Sequence, residues 1–197
     1  MNVVRYGLAL LLLMFLPPAL LFWLLIHPFV RAWRRIDPGG TYGLVLPVLV
    51  GVMVVLFLVR RLLLAHEFET SYPLIGLGLG CLAGATTLSI RLRRHLSLRT
   101  LVGVPELAPH RYPQPLLTEG LYARMRHPRY VALVLALLGY ALIANFAAIY
   151  LLWGLSLPAV SAIAVLEERE LRERFGKEYD AYRRRVPRFV PRFTGSR

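Results

Sequence analysis

The chain has 197 residues, and 57% of them are hydrophobic, more than a soluble domain of this size needs to fill its core. The net charge of +13, carried by 23 arginines and one lysine, would suggest nucleic acid in a soluble protein. Here the arginines flank apolar runs, where anionic headgroups of membrane lipids are the cheaper partner, and the sequence carries no nucleic-acid-binding motif. The lone Cys81 excludes an internal disulfide.

Taken in chain order, four stretches lack acidic, lysine and arginine residues: 6–30, 38–59, 70–90 and 130–166. A membrane crossing needs about 20 apolar residues at about 1.5 Å each. The first three stretches fit one crossing apiece. The last would measure about 55 Å as one helix, so it predicts two crossings, with a tight turn at Ala144-Asn145-Phe146. The expected fold is an all-α polytopic membrane bundle of about five transmembrane helices with a cytoplasmic C-terminal helical segment. The first run is too long for a signal-peptide core and lacks a small-x-small cleavage site, so it reads as a retained span, kinked at Pro17-Pro18.

The sequence divides into an N-terminal three-span region over 1–90, a connector over 91–129, and a two-span hairpin with a tail over 130–197. Positive charge gathers in the loop after the first span (Arg31, Arg34, Arg35), in the connector and in the tail. The positive-inside rule puts all three in the cytoplasm, with the N-terminus outside. Gly76, Gly78, Gly80 and Gly84 in the third span lack the register of a nucleotide loop; their spacing of four over 76, 80 and 84 predicts close helix packing in lipid. Pro105, Pro109, Pro113 and Pro115 break the connector, and Gly176 divides the helical pattern over 162–185.

Two clusters could carry chemistry. The first ends in Arg126-His127-Pro128-Arg129-Tyr130, where Pro128 suits the first turn of the fourth span and puts Arg126, His127 and Tyr130 at its mouth, a place that favours an anion. Snorkelling arginines and an interfacial tyrosine belt explain the same pattern without a site. The second cluster, Glu167-Glu168-Arg169-Glu170, lies just past the fifth span and continues to Tyr179, Tyr182 and Val186-Pro187-Arg188. A carboxylate there can hold an ammonium group or pair with arginine. The alternative is a solvated helix face with Glu168–Arg172 and Glu170–Arg174 pairs. Neither cluster fits a metal site, and His66, His95 and His110 have no ligand partner at useful spacing, which makes them surface residues.

Together, Gly120-x-Tyr122-x-x-x-Arg126-His127-Pro128-x-Tyr130, the hairpin, and Glu167-Glu168-x-x-Leu171-x-x-x-Phe175-Gly176-x-Glu178-Tyr179-x-x-Tyr182-x-x-x-Val186-Pro187 resemble the isoprenylcysteine carboxyl methyltransferases, grouped with the phospholipid methyltransferases. The resemblance covers 117–191. It implies S-adenosylmethionine bound at the cytoplasmic face and a lipid-like or small hydrophobic acceptor (carboxylate, amine or thiol) entering from the bilayer. On that basis Tyr122, Arg126, His127 and Tyr130 border the cofactor on one side and Glu167, Glu168 and Tyr179 on the other, with Arg126 and Glu168 as candidate catalytic residues. No metal and no nucleic acid are expected. The family commonly has glycine at the position of Ala132, which implies a narrower contact near Tyr130. The sterol reductases, which use NADPH, have a similar C-terminal region and supply an alternative, as does a membrane protein without catalysis. The arginine bias points to a bacterial inner membrane.

Overall fold

The computed structural model describes residues 2–92, 107, 111 and 115–191. The expected breaks at Pro105, Pro109 and Pro113 and the surface positions of His95 and His110 lie outside them. Within them the chain forms α1 (Val3–Ile26), a one-turn α2 (Val30–Trp33), α3 (Pro38–Leu63), α4 (Tyr72–Leu92), a 3-10 turn (Gly120–Ala123), α5 (Pro128–Ala144), α6 (Ala147–Phe175) and α7 (Lys177–Arg185). Helices α1, α3, α4 and α6 are long and apolar enough to cross a membrane, and α5 is a shorter apolar helix of 17 residues. The protein is an all-helical, polytopic membrane bundle.

The long charge-free run divides where expected. Asn145 ends α5 in the left-handed conformation (φ 56°), which asparagine tolerates better than most residues, and its side chain is held by Glu69 O and the Tyr150 hydroxyl, each at 2.8 Å. Pro17 and Pro18 lie inside the single helix α1. Helix α6 continues past Leu166 for more than two turns, and Gly176 stops it with φ +53° and ψ −122°. Glu167, Glu168, Glu170 and Glu173 therefore project from the end of the span on one rigid helix.

Helices α4 and α5 pack through glycine, in a different register from the one the sequence suggests. A Cβ on Gly78 would lie 2.8 Å from Gly139 O, and one on Gly139 would lie 2.8 Å from Gly78 O, whereas a Cβ on Gly76 or Gly80 would meet no neighbouring element within 4 Å. The buried stripe of α4 is Gly78, Ala85 and Leu92, a spacing of seven that keeps one seam against α5. Of Gly76, Gly80 and Gly84, only Gly84 shares that contact: a Cβ there would lie 3.2 Å from the Leu135 side chain.

The two ends of the bundle are built differently. At one end, buried Arg5 of α1 donates to the carbonyls of Phe68, Ala144 and Asn145 and pairs with Glu67 at 3.3 Å. It thereby caps the unpaired carbonyls at the C-terminus of α5, where positive charge is favoured. At the opposite end, the first loop, the start of α5, the end of α6 and α7 come together.

Candidate functional site

The site begins with α5. Pro128 occupies its first turn, and His127 precedes it in a non-helical conformation (φ −123°, ψ 57°), so residues 126–127 cross the helix mouth outside the helix. Their backbone N–H groups donate to Pro187 O (2.9 Å) and Arg188 O (3.0 Å). The tail is thus fastened to the α5 mouth before any side chain is considered. Helix α7 completes the fastening. It folds back at Gly176, buries Tyr179, Tyr182 and Val186 against Leu116, Leu171 and Phe175, and donates the Tyr182 hydroxyl to Tyr122 O at 2.7 Å.

This brings the two sequence clusters into one place. Glu168, 6% exposed, lies 2.8 Å from Arg126 Nη1, accepts from His127 Nε2 at 3.0 Å, and receives Arg188 Nε and Nη2 at 2.8 and 2.9 Å. A carboxylate excluded from water is costly unless its oxygens are satisfied, and two guanidinium groups and an imidazole satisfy these. The i, i+4 alternative is overturned: Arg172 pairs instead with Asp180 (3.1 Å), and Glu170 with His27 (2.6 Å) and, at 3.8 Å, Arg34.

Glu167 is in a different setting. Its side chain is 30% exposed, and its carboxylate accepts from the Tyr130 hydroxyl at 2.8 Å and lies 3.6 Å from His127 Nδ1. His127 therefore spans both glutamates. Its ring stacks on Tyr130 (centroids 5.4 Å apart, planes 22°) and meets Phe189 at 5.8 Å. Arg126 reaches Tyr179 at 3.5 Å, and its Nε–H is buried with no hydrogen-bond partner among the described residues. Such a group is expensive to leave unsatisfied, and it fits an acceptor supplied by a bound molecule.

The phenols beside these groups are held neutral. Burial pushes Tyr122 up, with Arg129 acting the other way. It pushes Tyr179 up against the opposing hydrogen bond from Arg126, and Tyr182 further still. The hydrogen bonds from Arg188 to Glu168 raise the guanidinium's own pKa, so it stays charged.

Tyr122, Arg126, His127, Tyr130, Glu167, Glu168 and Tyr179 all lie in this assembly. Sequence spacing did not single out Arg188, which owes its place to the pairing of the tail with residues 126–127. Nor did it single out Trp23 of α1 and His27, which caps the end of that helix. His27 stacks on Trp23 (5.1 Å, 20°), and Arg129 lies over the Trp23 and Tyr130 rings at 5.5 and 5.2 Å. No local pattern marks His27, whose partner Glu170 is 143 positions away.

Residues 74–178, just over half of the chain, match the phospholipid methyltransferase family. The chain belongs to that family. The match starts in α4 and ends in α7, so it contains both glutamates and the mouth of α5 but neither α1 nor the Arg188 tail. The chain is similar to protein-S-isoprenylcysteine O-methyltransferase of Schizosaccharomyces pombe, 36% identical over 77 residues, 39% of this chain and 33% of that protein. It is also similar to methanethiol S-methyltransferase 1 of Bradyrhizobium diazoefficiens, 34% identical over 104 residues, 49% of this chain and 32% of that protein. The matched segments thus span about a third of each relative's length. No solved structure matches the chain significantly.

Proposed function

We propose that the protein is an integral-membrane, S-adenosylmethionine-dependent methyltransferase acting on a hydrophobic acceptor. The observation that carries this reading is the bridge of His127 between Glu167 and Glu168. It makes one site of two family clusters about forty residues apart, and joins a half-buried carboxylate, through His127 and Glu168, to an arginine with an unused N–H.

The two groups suit the zwitterionic end of the cofactor. Arg126 Nε–H would receive its carboxylate and Glu167 its ammonium, both as charge-assisted hydrogen bonds. Glu168 holds Arg126, His127 and Arg188 in place, a positioning role, and the two guanidinium groups on its carboxylate make it a weak base. Tyr130 fixes the Glu167 carboxylate, and the half-buried Tyr122 ring offers a face for a positively charged group. When bound, S-adenosylmethionine supplies an electrophilic methyl group on a sulfonium. Transfer from it is an in-line displacement, for which alignment and exclusion of water matter most. Tyr179 and Tyr182, held neutral by burial, close the site with α7 without adding negative charge.

The end carrying this site also carries Arg31, Arg34 and the basic residues of α7, and the positive-inside rule makes it cytoplasmic, with the Arg5 end outside. A bacterial inner membrane fits the arginine bias. The relatives' names span an oxygen and a sulfur acceptor, which leaves the acceptor's class to the rest of the site. Membranes containing the protein, incubated with methyl-labelled S-adenosylmethionine, are expected to transfer label to a lipid or volatile fraction, and Glu167→Gln membranes are not. Label transfer unaffected by Glu167→Gln removes the proposed cofactor site.

A further inference from the structure

Helix α7 doubles back toward the membrane, and its ion pairs fix the height of its charges. Leu166 ends the charge-free run in α6. Glu168 and Arg172 follow on the same helix, about 3 and 9 Å beyond it. Asp180 pairs with Arg172 and Arg188 with Glu168, which brackets Arg183, Arg184 and Arg185 between those two heights. The headgroup layer on one side of a bilayer is about 5–8 Å thick, so the three arginines stand in it. The chain then goes deeper. Phe189 packs with Tyr130, Val160 and Ile163 of the charge-free hairpin, and Val190 beside it is 76% exposed, where lipid rather than water surrounds the protein.

The charge on α7 is graded in the same direction. Its first turn holds Glu178 and Asp180, and its last turn Arg183, Arg184 and Arg185. The three arginines are exposed, and none forms an ion pair among the described residues; Arg185 Nε donates to Ala181 O. In the first loop, by contrast, Arg31 and Arg34 are paired with Glu173 and Glu170. Guanidinium groups held at phosphate height beside an exposed apolar side chain match a phosphodiester headgroup of net negative charge. A zwitterionic headgroup carries an ammonium next to its phosphate, which cancels much of the attraction.

We propose that Arg183, Arg184, Arg185 and Val190 form a docking surface for anionic phospholipid, and that lipid bound there holds the tail on the cofactor site. The link to the cofactor rests on the methyltransferase reading given above; the lipid surface does not. The tail reaches the site through residues 187–188, whose carbonyls accept from the Arg126 and His127 N–H groups, and through Arg188, which binds Glu168. Lipid that keeps the end of α7 at the membrane therefore keeps Arg188 on Glu168, and Glu168 in turn holds the Arg126 and His127 side chains. Such coupling is reciprocal: anionic lipid tightens cofactor binding by the factor by which cofactor tightens lipid binding. Each basic residue at an anionic surface strengthens attachment about fivefold, and the effect fades over about 8 Å at physiological salt. Arg174 and Lys177, at the elbow of α6 and α7 about 12 Å beyond Leu166, carry the same charge outside the headgroup layer.

The test uses the full chain in phosphatidylcholine bilayers, with Cys81→Ser and a bimane fluorophore on Val190→Cys. Phosphatidylglycerol or phosphatidylcholine carrying a doxyl quencher near the headgroup is titrated in. Half-quenching is expected at about tenfold less phosphatidylglycerol than phosphatidylcholine, a preference that shrinks in high salt. Adding Arg183→Gln and Arg184→Gln together should cut the preference to under about threefold, whereas Arg174→Gln with Lys177→Gln, the same loss of charge, should largely keep it. Calorimetry in nanodiscs then reads the link to the site. S-adenosylmethionine should bind about threefold or more tighter when phosphatidylglycerol is present, and the gain should vanish only with the Arg183 and Arg184 substitutions. Equal quenching by the two lipids, equal loss of preference in both double variants, or a label that neither lipid quenches overturns the docking surface. A cofactor affinity indifferent to phosphatidylglycerol, or a gain that survives loss of Arg183 and Arg184, overturns the link to the site. Lipid preference as expected with no S-adenosylmethionine binding in any bilayer overturns the methyltransferase reading and leaves the lipid surface standing.

Discussion

Replacing Glu168 by glutamine keeps the length of the side chain and removes its charge, leaving Arg126, His127 and Arg188 around a neutral amide. In the wild type the carboxylate is 6% exposed and accepts from three side chains at 2.8–3.0 Å. Breaking a buried ion pair by removing one partner costs about 3–5 kcal/mol, because the remaining charge is left uncompensated. Arg188 is 34% exposed and regains water, while Arg126 at 9% does not, so the lower end applies, about 3 kcal/mol. That is a factor of about 10² in an unfolding equilibrium. Reversible unfolding in mixed micelles measures it, with Arg172→Ala as the comparison. Arg172 is 61% exposed and pairs only at the surface with Asp180, so its removal should cost under about 1 kcal/mol. Were Glu168 instead part of a solvated helix face with Arg172, the two variants would be alike and both mild. Equal stability of Glu168→Gln and Arg172→Ala refutes the buried cluster.

Gly139→Ala puts a Cβ 2.8 Å from Gly78 O, a backbone atom that cannot yield cheaply, and should destabilise by about 1–3 kcal/mol; Gly76→Ala, with nothing within 4 Å, should be silent in the same unfolding assay. Tyr130→Phe removes the hydroxyl that donates to Glu167 and should weaken S-adenosylmethionine binding by about tenfold, read by calorimetry, while leaving stability nearly unchanged. Burial raises the folded-state pKa of Tyr179 and Tyr182, so α7 docking should be fully stable below about pH 10 and weaken as pH rises past it. Absorbance titration should show these phenols ionising above free tyrosine, and protease accessibility of the tail should rise only in that range. Arg5→Ala should cost about 3 kcal/mol by leaving Glu67 and the carbonyls capped by Arg5 unpaired, with no change in cofactor affinity, because Arg5 sits at the opposite end of the bundle.

The parts legible in sequence are those set by local chemistry. The bundle follows from runs of apolar residues too long for water, and the hairpin from one asparagine in a run without charge. The stop at Gly176 follows from a glycine at the end of helical spacing. The glycine seam was not legible, because four glycines share α4 and only the partner Gly139 decides which of them faces inward. Arg126, His127, Glu167 and Glu168 stand out because charge at a span end is costly without a purpose. Their division of labour does not, since Glu167 and Glu168 are neighbours in sequence and differ only in what crosses to them. Arg188 reaches Glu168 through backbone pairing of the tail, and His27 reaches Glu170 across the whole chain. Both contacts belong to tertiary structure.

Binding of S-adenosylmethionine to the purified protein in detergent bears most directly on the site assembled by Arg126, His127, Tyr130 and Glu167. Saturable binding by the wild type is expected, weakened about 10–100-fold by Arg126→Ala and by Glu167→Gln, as the loss of one charge-assisted contact each implies. Binding of equal strength in all three proteins would place the cofactor elsewhere and overturn the assignment.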